Sequence, residues 1–121
     1  MANLTTVIDK AFLGRLCADA ISNLQKACEK HPAFPNEFTS IPLETAQEMM
    51  WTAKHFNDNG HPYGDTIAEE EGLEFTVSLL QGMRPQAYDE LVDVITVWLR
   101  VGLHLKDYVS HGGTEGKEVQ P

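Results

Sequence analysis

Cysteine is scarce in this chain, with only Cys17 and Cys28 among 121 residues. That excludes a disulfide-stapled scaffold, and without a Cys-x-x-Cys there is no thiol zinc or redox motif. The two cysteines fall in one helical stretch, about 16 Å apart along its axis, too far to bridge within it. They read as reduced core thiols of a cytoplasmic protein. Long apolar runs are also lacking, so no window suits a membrane span. The N-terminal MANLTTVIDKAF has neither the charged start nor the continuous apolar stretch of a signal peptide. Basic residues are few: nine Lys and Arg against eighteen Asp and Glu give a formal net charge of −9. Such a balance speaks against binding a nucleic-acid backbone, which needs a cationic stripe. A Gly-rich phosphate loop and a nucleophile elbow are absent as well. The carboxylate surplus leaves three readings open: a cation site, a basic partner, or solubility alone.

What the chain does have is helical periodicity. Val7, Ile8, Leu13, Leu16, Ala20, Leu24 and Cys28 follow a helical period from about Thr5 to Lys30. His31-Pro32-Ala33-Phe34-Pro35 breaks it. A second helix is expected to open at Pro42, suited to a first helical position, and to stop at Asn57-Asp58-Asn59-Gly60. A third is expected from an Asp65 N-cap to Gln81, stopping at Gly82. A fourth runs from near Pro85 to about Val109, and residues 110–121 are expected to form a disordered tail. With no strand pattern, the expectation is an all-α fold, a four-helix bundle forming one domain over residues 1–109.

Acidic residues on the third and fourth helices share a spacing. Glu70, Glu71 and Glu74 stand at i,i+3 and i,i+4, which projects them from one sector of a helix. Leu73, Val77 and Leu80 flank that sector on one side, and Ala68, Phe75 and Leu79 on the other. No lysine or arginine interrupts this helix. Glu90 and Asp93 repeat the i,i+3 spacing on the fourth helix. The apolar arc of that helix (Leu91, Val92, Ile95, Trp98 and others) is wider than one neighbour covers, so the core is expected to be completed by oligomerisation. A short connection, Gly82-Met83-Arg84, makes the two helices antiparallel neighbours, with their carboxylates facing one another. Facing carboxylates raise one another's pKa values, and a hard divalent cation relieves that repulsion. Oxygen-only donor sets select magnesium, calcium or manganese. Solvated acidic faces on amphipathic helices are the bland alternative.

The ordered pair Glu70-Glu71-x-x-Glu74 and Glu90-x-x-Asp93 resembles the signature of the all-α nucleoside triphosphate pyrophosphohydrolases, which include MazG-like proteins and the all-α dUTPases. The similarity spans mainly Trp51 to about Val109, and Tyr88-Asp89-Glu90-Leu91-Val92-Asp93-Val94 is similar to small phage and bacterial MazG-like proteins. Leu73 stands where many members carry glycine, and Gly72 comes one position earlier. The resemblance implies Glu71, Glu74, Glu90 and Asp93 as ligands of Mg2+, with Mn2+ as a substitute. Glu70 would be the catalytic residue that orients the attacking water, or a further ligand. It implies a nucleoside triphosphate substrate, cleaved between the α- and β-phosphates, and a homodimer or a dimer of dimers. Trp51, Lys54, His61 and Arg100 are the candidate substrate contacts. Each has a plainer reading, Trp51 in the core and Arg100 in an ion pair. The alternative function is a non-catalytic acidic helical protein of the same ancestry that binds a basic partner.

Overall fold

The structure, a computed structural model, describes residues 5–119, with side chains through Lys106. Four helices follow in order: α1 (Lys10–Lys30), α2 (Leu43–Asn59), α3 (Gly64–Leu80) and α4 (Arg84–Val119). No strand occurs among the described residues, so the all-α class holds. No described helix is long and apolar enough to cross a membrane. α4 continues as helix to Val119, past the end expected near Val109 and into the span expected to be a tail, and the side chains beyond Lys106 lie outside the described residues.

Local chemistry shifts three of the expected helix starts. α1 begins at Lys10 and not at Thr5, because Asp9 is its N-cap and its carboxylate accepts the Phe12 N–H at 2.9 Å. Pro42 stands one place earlier than expected, as the N-cap of α2 rather than its first residue. α3 starts at Gly64 with Tyr63 as N-cap, and Asp65 falls inside its first turn. Thr66 displaces Asp65 from the capping role: its hydroxyl accepts the Tyr63 N–H at 2.8 Å and donates to the Tyr63 carbonyl at 3.0 Å. The acidic Asp65 then favours the positive end of the helix dipole.

The turn between α3 and α4 follows from one glycine. Gly82 adopts φ +75°, the left-handed region where a side chain is strained. That conformation lets the Met83 N–H reach the Ser78 carbonyl and the Gly82 N–H reach the Leu79 carbonyl, both at 3.0 Å. This Schellman pattern satisfies two otherwise orphaned carbonyls and reverses the chain.

The chain divides into two compact units. One comprises Asn36–Trp98 and the other Met1–Pro35 with Leu99–Pro121. In the first, α2 packs along α3, and Ala46, Ala68, Leu73, Val77 and Ala87 are buried. Phe75 and Leu79 of α3 line one cleft with Ala87 and Leu91 of α4. In the second unit, Gly102 of α4 permits close approach of α1: a β-carbon there would meet Leu16 Cδ2 at 2.9 Å. Arg100 and His104 bond the Thr6 hydroxyl, and Lys106 pairs with Asp9 at 3.3 Å.

The buried set is small, three alanines, a serine, a valine and two leucines, with no large side chain fully enclosed among the described residues. Leu91, Val92, Ile95 and Trp98 of α4 are all exposed, as are Ile21 and Leu24 of α1. Cys17 and Cys28 are exposed too, which corrects the expectation of core thiols. Their helix is amphipathic, and every residue of it from Cys17 to Lys30 is exposed.

Candidate metal centre

The unit Asn36–Trp98 carries all five sequence-identified carboxylates. At 100° per residue, Leu73 and Val77 share the flank of α3 on which Thr66 and Glu69 line a cleft with α2, and Ala68 shares the opposite flank with Phe75 and Leu79, which line a cleft with α4. Glu70, Glu71 and Glu74 occupy the sector between. The sequence pattern of an acidic stripe with apolar borders is thus the pattern of a helix packed on two sides.

Glu71 of α3 and Glu90 and Asp93 of α4 each present one carboxylate oxygen within 4.8 Å of the others. Glu71 and Glu90 are half-buried and Asp93 is exposed, so the group opens to solvent at Asp93. Glu74 adjoins the same group. Burial, then hydrogen bonding to Glu71 and the charges of Glu71 and Glu90, push its carboxyl up to about 8. Burial and the charges of Asp93, Glu90 and Glu70 raise Glu71, while the hydrogen bond from Glu74 lowers it. One oxygen of Glu90, Oε2, is buried and accepts no protein hydrogen bond. A buried carboxylate oxygen without a donor is costly, and a cation or its water would satisfy it. Oxygen donors alone, clustered and short of positive charge, fit a hard divalent ion.

Glu70 is held differently. The Asn57 amide donates to Glu70 Oε1 at 2.9 Å and to the Thr66 carbonyl at 3.0 Å. Lys54 Nζ stands 4.0 Å from Glu70 Oε2. Two residues of α2 therefore fix the Glu70 carboxylate apart from the Glu71–Glu90–Asp93 group. Asn57 is the residue that sequence reasoning missed, since an asparagine in the last turn of a helix signals only a C-terminal stop. Its Oδ1 is buried and accepts no hydrogen bond.

The other sequence candidates are spread more widely. Trp51 is 65% exposed, which replaces a core role, and stacks on His55 with centroids 5.1 Å apart. His61 meets Tyr63 edge to face at 5.5 Å. Arg100 belongs to the other unit, where its guanidinium donates to Thr6 Oγ1 at 3.1 Å. A cleft of about 650 Å³ lies along α2 and α3, floored by Met49, Ala53 and Phe56 and edged by Thr66 and Glu69. It occupies the flank of α3 away from Glu71 and includes none of the five carboxylates.

Comparison with protein-family models, with curated proteins and with solved structures gives no match. Functional assignment accordingly rests on the carboxylates and their neighbours.

Proposed function

We propose that this protein is a magnesium-dependent nucleotide pyrophosphohydrolase of the all-α type. Its reaction would convert a nucleoside triphosphate to the monophosphate and pyrophosphate. The observation that carries the reading is the convergence of Glu71, Glu90 and Asp93, with the Glu74 carboxyl pushed up to about 8 beside them and one Glu90 oxygen orphaned. Glu71, Glu74, Glu90 and Asp93 would hold the metal. Bound magnesium supplies charge neutralisation for the triphosphate and polarises a water. That answers how a chain of net charge −9 accommodates a polyanion.

The remaining work falls to α2 and α3. Glu70 is fixed in direction by Asn57 and Lys54, so it is set to accept a proton from, and so orient, an attacking water. Lys54 is 58% exposed and can extend toward a phosphate while staying near Glu70. The exposed apolar residues of α4 support a homodimer or dimer of dimers as the working form.

Turnover and magnesium binding, measured on the same sample, test the proposal. Wild-type protein incubated with magnesium and a panel of canonical and modified triphosphates should release monophosphate and pyrophosphate in equal amounts. Absence of turnover at high protein concentration, in a sample that still binds magnesium, would remove the enzymatic reading and leave a metal site.

A further inference from the structure

We infer that the free half of α1, Cys17 to Lys30, is a self-pairing surface that docks antiparallel onto the same segment of a second copy of this chain. The inference rests on α1 alone and not on the nucleotide reading. Every residue from Cys17 to Lys30 is exposed, with Ile21 at 56% and Leu24 at 60%. A helix of this length without tertiary packing is marginal in water. Its apolar residues are nonetheless ordered. Cys17, Ile21, Leu24 and Cys28 are spaced by four, three and four residues, the period of a helix–helix seam. They fall within an arc about 60° wide, and Asp19, Lys26 and Lys30 lie opposite.

The occupant follows from the symmetry of that stripe. Reversed end for end, it reproduces its own spacing: Cys17 exchanges with Cys28, and Ile21 with Leu24. A twofold antiparallel pair demands this self-complementarity, whereas an unrelated partner does not. The pairing sets Cys17 against the partner's Cys28 and Ile21 against the partner's Leu24. Ala20 and Ala27 border the seam on one side, and Ala18 and Gln25 on the other, so nothing bulky or charged holds the helices apart. Charge favours the same surface. The docking segment, residues 17–30, holds two basic and two acidic residues in a chain of net charge −9, and so does not repel a second copy. The antiparallel sense is fixed by the other half of the helix. Phe12 and Leu16 already face Gly102 of α4, and opposed helices send these occupied halves to opposite ends.

Thiol cross-linking tests the register. Full-length wild-type protein treated with a short bismaleimide should yield a covalent species of twice the 13.5 kDa chain mass. The variants Cys17→Ser and Cys28→Ser, each alone, should stay at the chain mass. Their one remaining thiol lies about 16 Å along the seam from its symmetry mate. Mixing the two variants should restore the doubled species, because Cys28 of one then meets Cys17 of the other. Leu24→Glu in the wild-type background should abolish it. Cross-linking of either single variant with itself would overturn the antiparallel register. Failure of the mixture to cross-link, or monomeric wild-type protein in sedimentation, would overturn the pairing itself. Circular dichroism of each variant confirms that it remains helical.

Discussion

Replacing Glu74 with glutamine keeps the shape of the side chain and removes the charge that its neighbours oppose. In the folded protein the Glu74 carboxyl titrates near 8, against an ordinary 4.5, chiefly through burial and then through Glu71 and Glu90. Below about pH 4.5 both folded and unfolded chains carry the proton, and this group has no effect on stability. Between that pH and 8 the folded chain keeps a proton that the unfolded chain has released, so stability falls as pH rises. Above 8 the cost is fully present. At about 1.4 kcal/mol per unit the shift sets an upper bound near 5 kcal/mol, and solvent access through the Asp93 side reduces it to roughly 2–3 kcal/mol. For a domain of this size that corresponds to a Tm difference of about 10 °C. Thermal melts in EDTA at pH 5 to 9 should therefore show the variant gaining on wild type as pH rises, with most of the gain in place by pH 9. Magnesium at pH 9 should stabilise wild type and do little for Glu74→Gln. Parallel Tm curves for the two proteins across the whole range would refute the picture of Glu74 pressed against two other carboxylates.

Three further outcomes follow from the same geometry. Asp93→Asn removes the solvent-facing ligand and should erase the magnesium-induced rise in Tm, which for wild type at a hundredfold excess over Kd reflects about 2.7 kcal/mol of stabilisation. Asn57→Ala frees the Glu70 carboxylate and should slow hydrolysis at least about tenfold, the kinetic equivalent of one charge-assisted hydrogen bond, while magnesium titration by calorimetry stays unchanged. Gly82→Ala forces a side chain into the left-handed turn between α3 and α4 and should lower stability by about 1 kcal/mol in chemical denaturation.

Much of the fold was legible because helix stops are local. Gly60 and Gly82 end α2 and α3 where the sequence places the stops, through backbone geometry that needs no tertiary information. Helix starts were less legible, since neighbouring residues such as Asp65 and Thr66 at α3 compete for the capping role, and only the folded backbone decides between them. The site divides the same way. Glu71, Glu90 and Asp93 come together because i,i+3 spacing on two helices joined by a tight turn leaves few other arrangements. The tie from Asn57 to Glu70 was not legible, because it depends on how α2 lies against α3. Arg100 was a candidate substrate contact by sequence, but it falls in the other unit, where Thr6 takes its guanidinium. Exposure of Cys17 and Cys28 escaped the sequence for a related reason: periodicity identifies an apolar face but not what covers it.

The central claim is attack of water at the α-phosphorus of a triphosphate held at these carboxylates. Hydrolysis in 18O-labelled water with magnesium, followed by mass spectrometry of both products, tests it most directly. The account predicts one labelled oxygen in the nucleoside monophosphate, unlabelled pyrophosphate, and loss of both products in Glu74→Gln and Asp93→Asn. Label in pyrophosphate or in inorganic phosphate, or wild-type rates in both variants, would contradict it.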